Sequence, residues 1–184
     1  NPGSGAIDFA ENNSLPTFIV NKTQYPDSNY RDTILTQNLL KADIDLICLA
    51  GYMKMIPKNI VTHFENRILN IHPALLPDFG GKGFYGIKVH EAVIQSKASI
   101  SGVTVHFVDD TLDGGPICSQ SSILIKTDSP VELKEKIHEL EHELYPKVIN
   151  WFGQGRLKQE EDKVYLDNKE LKHIVNTITR FFIK

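Results

Sequence analysis

Two hydrophobic rhythms alternate along the chain. Short apolar runs of strand type, Thr17–Val20 (TFIV), residues 45–50 (DLICLA) and residues 67–72 (RILNIH), are separated by stretches with helical character near residues 6–11, over 30–41 and from Pro57 onward. Pro57 suits the first turn of a helix, where its missing N–H costs nothing. Strands alternating with helices predict a parallel sheet wound by right-handed crossovers, with 45–50 fully buried. After residue 77 the pattern changes. DFGGKGFYG places Gly80, Gly81, Gly83 and Gly86 close together, which predicts an irregular loop, and a helix follows over 87–96. GVTVHFV and ICSQSSILI each alternate with period two, and DDTLDGGP between them predicts a hairpin with a long loop. From Ser129 the chain turns helical again. Ser129, Pro130 and Glu132 read as a capping box, and Leu133, Ile137, Leu140 and Leu144 as the buried stripe. Residues 155–171 predict a surface hairpin and 169–183 a final helix.

Polar residues interrupt this pattern in places that invite chemistry. Strand side chains alternate, so Asn70 and His72 share a face while Leu69 and Ile71 take the other. The carboxyl end of a strand is where open α/β sheets hold ligands. Two polar residues there also fit a strand end feeding the turn at Pro73. In the following strand Thr104 and His106 lie opposite the face of Val103, Val105 and Phe107. Asp113 stands directly before Gly114, Gly115 and Pro116, a sequence that leaves its carboxylate little freedom, or uses it to cap the turn.

Composition narrows the field. With 184 residues, a net charge of −3 and 41% hydrophobic content, the chain suits one domain with its own core. There is no basic stripe to expect for nucleic acid, and LICLAGYM falls short of a membrane span. Without the residue order of a signal peptide, a cytoplasmic location is expected. Cys48 and Cys118 lie in strand-like runs and do not suggest a metal or disulfide framework. The N-terminal NPGSGAIDFAENNSLP matches no phosphate-loop pattern and predicts a turn and a short helix. HELEH at 138–142 is a literal zinc-type spacing, but no third ligand follows it. The expectation is no metal and a charged helix face, from which Glu141 can reach a ligand.

Taken together, ILNIHPALLP, GVTVHFVDDTLDGGPI and ELEHELYPKVINWFGQGRL resemble the phosphoribosylglycinamide formyltransferases of purine synthesis, over about residues 1–160. The first two motifs are shared more widely among folate-dependent formyltransferases and hydrolases; the third is closer to the glycinamide enzymes. The resemblance implies a Rossmann-like, mainly parallel sheet with helices on both faces, extended by an antiparallel hairpin. It implies transfer of a formyl group from 10-formyltetrahydrofolate, the cosubstrate, to the amine of glycinamide ribonucleotide. In that chemistry Asn70 and a protonated His72 donate to the formyl oxyanion, and preorganised donors of this kind lower a barrier by about 3–4 kcal/mol each. Asp113 then stands beside His72, favours its charged form and relays the amine proton. His106 supports this group from behind, or is simply a satisfied strand histidine. Met53, Lys54, Met55 and Ile56, with Asn70 and Asp110, are the implied folate contacts, although Met53 and Met55 also suit core packing. Glu141 is the implied contact to the glycinamide substrate.

The chain also departs from the family pattern. Its members open with a strand and a Gly-Ser-Asn loop at a helix N-terminus, so an N-terminal βαβ portion is expected to be missing here, with phosphate binding and stability impaired. GGKGFYG stands where many relatives carry His and Thr, and Lys54 where Arg is frequent. The expected organisation is a single catalytic domain over 1–184, with 1–77 as the remainder of the parallel half, 78–160 as the folate and catalytic half, and 161–184 as a terminal hairpin and helix. A formyltetrahydrofolate hydrolase and a non-catalytic folate-binding protein are the competing readings. Transfer to an initiator tRNA is disfavoured by the absence of a basic surface.

Overall fold

The computed structural model describes residues 3–171. The chain divides into two compact units between Asp45 and Leu46. The first holds two helices, α1 (Gly5–Asn12) and α2 (Ser28–Lys41). Asp27 caps α2, its carboxylate accepting from the Tyr30 N–H at 2.7 Å. Thr17–Val20 does not form the expected strand. A strand needs a ladder partner, and among the described residues of this unit there is no other strand to pair with it.

The second unit is built on a four-stranded sheet in the order β1-β2-β3-β4, where β1 is Ile47–Leu49, β2 Ile68–His72, β3 Ile100–Phe107 and β4 Ile117–Leu124. β1 and β2 run parallel and are joined through α3 (Lys58–His63), with Pro57 at the helix N-cap. β2–β3 and β3–β4 are antiparallel, which makes the α/β sheet mixed. The expected burial of the whole of 45–50 fails at most of its residues: Asp45, Cys48 and Ala50 are exposed, and Leu46 and Leu49 are only partly buried. Ile47 is buried, but Cys48 faces out. The cause is position: β1 pairs only with β2 at the sheet edge, and alternation turns Cys48 away from the core.

Leu69, Val103, Val105 and Phe107 pack against Leu144, Tyr145 and Val148 of α5 (Pro130–Gly153). A second cluster joins Val93 of α4 (Ile87–Gln95) to Leu133 and Ile137 of α5. Both clusters sit on the stripe anticipated for α5. The cap differs in detail. Ser129 accepts from the Glu132 N–H as expected, yet the Glu132 carboxylate takes the Thr127 hydroxyl, and Thr127 in turn accepts from the Ser129 N–H.

β5 (Leu157–Glu160), β6 (Lys163–Leu166) and β7 (Lys169–Glu170) form a small antiparallel sheet. The predicted helix over 169–183 therefore does not begin at Lys169. Asp167 and Asn168 both have positive φ, 54° and 62°, the geometry of a tight hairpin turn, and they reverse the chain into β7. The rest of that helix prediction lies outside the described residues. Among the described residues no helix is long and apolar enough to cross a membrane.

Candidate active site

The register of β2 against β3 builds the floor of the site. Asn70 stands opposite His106 and His72 opposite Thr104, so four polar side chains share one sheet face, while Leu69, Ile71, Val105 and Phe107 supply the apolar one. His106 is almost fully buried, and burial pushes its pKa down more strongly than the Phe107 carbonyl and Asp113 pull it up. The neutral ring donates Nδ1–H to the Phe107 carbonyl at 2.7 Å. Its Nε2 is thereby an acceptor, and the Asn70 amide donates to it at 3.1 Å. This bond fixes which end of the amide is nitrogen and leaves the second amide N–H for the cavity.

His72 is oriented in the same way. Its Nε2–H donates to the Phe79 carbonyl at 2.8 Å, which leaves Nδ1 to face Asp113 at 3.6 Å. The Asp113 carboxylate accepts from the Gly81 N–H at 2.9 Å. Its other oxygen lies 3.9 Å from His106 Nε2, but that nitrogen carries no proton, so this approach is a contact and not an ion pair. Asp113 has φ 56°, a left-handed conformation that Asp tolerates better than most residues. Two residues on, Gly115 lets the loop pass close against β3: a Cβ there would lie 2.0 Å from the Phe107 carbonyl oxygen.

The turn that presents Phe79 is held by a buried clamp. The Thr104 hydroxyl donates to Ala74 O at 2.7 Å and accepts from the Leu76 N–H at 3.0 Å and the Gln120 amide at 2.9 Å. Gln120 also donates to Leu76 O at 3.0 Å. β4 carries a bulge beside this point, where pairing steps from Val105–Ser119 to His106–Ile117. Bulges near such sites re-aim side chains.

These residues border a cavity of about 1370 Å³, large beside the pocket of a single small molecule. Asn70, His72 and Asp113 line it with Met53, Lys54, Met55 and Glu141. Ile56 and Asp110 lie outside its wall. The chain at Ile56 has already turned toward α3, and the Asp109 carboxylate, by accepting from the Thr111 N–H and hydroxyl, folds a turn that leaves Asp110 in solvent. α5 adds Lys134, His138, His142 and Tyr145, which sequence reasoning did not single out apart from the histidines of HELEH. Burial pushes the Glu141 carboxyl up, against the pull of His138, His142 and Lys134. The Tyr145 hydroxyl reaches Leu49 O at 3.0 Å and Leu69 O at 2.9 Å, tying α5 to β1 and β2. Among the described residues no group of three or more His, Cys, Asp or Glu side chains is placed to hold a metal ion.

The mixed α/β sheet brings an amide, an imidazole and a carboxylate together beside one end of β2, an arrangement suited to group transfer. The chain belongs to the formyl transferase family, whose model matches residues 2–149. It is 44% identical to the chloroplastic phosphoribosylglycinamide formyltransferase of Arabidopsis thaliana over 90% of this chain. It is 34% identical to the phosphoribosylglycinamide formyltransferase of Haemophilus influenzae, over 88% of this chain and 74% of that protein. The solved structure of phosphoribosylglycinamide formyltransferase from Coxiella burnetii superposes with a TM-score of 0.84 at 35% identity, covering 94% of this chain and 79% of the other. The chain spans 58% and 52% of the lengths of the relatives from Arabidopsis thaliana and Vigna unguiculata.

Proposed function

We propose that the pocket transfers the formyl group of 10-formyltetrahydrofolate to the primary amine of glycinamide ribonucleotide, the activity for which its relatives are named. The observation that carries this reading is the approach of His72 Nδ1 to Asp113 at 3.6 Å beside an Asn70 amide whose orientation His106 has fixed. The amine attacks the formyl carbon, and the carbonyl π electrons move to oxygen. The resulting oxyanion accepts from the free Asn70 N–H and from Nδ1–H of protonated His72. Asp113 balances that charge and, through water, accepts the proton that the amine gives up. Collapse of the tetrahedral centre breaks the bond to the folate N10, which leaves with a proton. Fixed donors aimed at a developing charge contribute about 3–4 kcal/mol each.

Met53, Lys54 and Met55 form the folate side of the cavity, and Glu141 accepts hydrogen bonds from the ribonucleotide. The second unit carries the site, and the protein acts in the cytoplasm on small molecules and without nucleic acid or membrane. The test is an assay of the protein with 10-formyltetrahydrofolate, with and without glycinamide ribonucleotide. Amine-dependent release of tetrahydrofolate is expected. Release without the amine would favour a hydrolase, and binding without turnover a folate carrier.

A further inference from the structure

His90 is a second buried histidine that the proposed chemistry leaves unused. It lies on α4 between Val89 and Val93, all three almost wholly buried, and its Nδ1 is sealed from water with no hydrogen-bond partner. Buried polar groups without a partner are rare. The residue nevertheless borders the cavity. With Nδ1 closed off, Nε2 is the nitrogen left to meet a ligand. Lys134 of α5 lines the same cavity, and burial first, then the charges of Lys134 and His72, bring the ring down to about 4. The packing of Val93 on Leu133 and Ile137 holds the two helices in this relation. His138 continues the same face of α5, one turn beyond Lys134, and lines the same cavity.

We infer that His90 and Lys134 form an anion-binding subsite of the cavity, in which the imidazole Nε2–H and the ammonium share one phosphate or carboxylate group. A neutral donor beside a cation suits an anionic oxygen: the lysine supplies charge and the imidazole supplies direction. Glu141, two turns further along α5, is the carboxylate of this wall, and Lys134 also pulls on it, so a bound anion competes with Glu141 for the ammonium. The inference deepens the reading above and rests on this cavity being the ligand site, since both substrates proposed for it carry anionic groups, a phosphate monoester on one and glutamate carboxylates on the other.

The test titrates inorganic phosphate and, separately, glutarate into the 184-residue chain, following the His90 ring resonances by NMR and the affinity by calorimetry. At least one anion is expected to shift His90 saturably. A response to phosphate assigns the subsite to the phosphate group, and a response to glutarate to the carboxylates. His90→Phe should weaken that binding at least ten-fold and Lys134→Met likewise, while His90→Gln, whose amide can replace Nε2–H, should retain it. If His90→Phe disturbs packing, the Gln and Met variants carry the comparison alone. Absence of a shift with both anions, or unchanged affinity in His90→Phe and Lys134→Met, overturns the subsite. Asn70→Ala separates the two readings: it should abolish turnover and leave the anion response intact. Anion binding in a chain with no formyl transfer would sink the proposed function and keep the subsite.

Discussion

The floor of the cavity and its rim are made differently. On the floor, His72, Thr104 and His106 are buried, and each polar atom that orients them has a named partner on β2, β3 or the turn after β2. On the rim, Met53 and Met55 are 69% and 59% exposed, and Tyr85 stands open to solvent. The floor is finished before any ligand arrives, whereas the rim offers apolar surface that only a ligand would cover. Chemistry that needs donors fixed to a fraction of an ångström belongs on the first, and binding of a flat ring belongs on the second.

Substitutions can break this contrast, and the largest effect is expected at Asn70. Asn70→Ala should lower kcat about 10²–10³-fold with a small change in melting temperature, because it deletes a donor whose work is done in the transition state. A stability loss that accounts for the lost activity would mean the amide is structural. Thr104→Val comes next. It keeps the shape but strands the Leu76 N–H and the Ala74 carbonyl, at a cost of roughly 1–3 kcal/mol in urea unfolding, and it should lower kcat because the Phe79 carbonyl that orients His72 loses its support. Thr104→Ser should restore both.

Acid should reach the floor and the α4 wall together. Burial depresses the folded-state pKa of His106 and brings that of His90 to about 4, against about 6.5 in the unfolded chain. Below pH 6.5 the unfolded state binds more protons, so the stability these rings contribute is intact above pH 6.5 and drains away as pH falls, for His90 down toward 4. The slope approaches about 1.4 kcal/mol per pH unit for each ring, and urea midpoints between pH 7 and 4.5 would measure it. His90→Gln should flatten part of the slope. The smallest effect is expected at the rim, where Met53→Ala should change stability by less than about 0.5 kcal/mol while raising KM for the folate several-fold. Equal effects on stability at Met53 and Thr104 would erase the distinction between floor and rim.

Local pattern alone set much of this molecule. Alternation in RILNIH and GVTVHFV put Asn70 with His72 and Thr104 with His106, because a strand's period of two needs no knowledge of its neighbours. The Ser129–Pro130 start and the Leu133, Ile137, Leu144 stripe placed α5 for the same reason. The final helix was expected to start at Lys169, directly after Asp167–Asn168, but their left-handed turn sends the chain back to pair with β6. Thr17–Val20 had strand composition but lacked a partner, and partners are not written in a single segment.

Tertiary structure decided the rest because it depends on contacts between residues far apart in the chain. No local rule says that the Phe79 carbonyl claims His72 Nε2, that the Gly81 N–H holds Asp113, or that His106 becomes an acceptor for Asn70. Nor could spacing tell Asp110, turned to solvent by its neighbour Asp109, from Asp113, three residues on and facing His72. Nothing local marks His90, which joins the cavity wall only once α5 packs against α4. Sequence chose which side chains share a face; packing chose which of their atoms meet, since hydrogen-bond direction and burial are properties of the assembled fold.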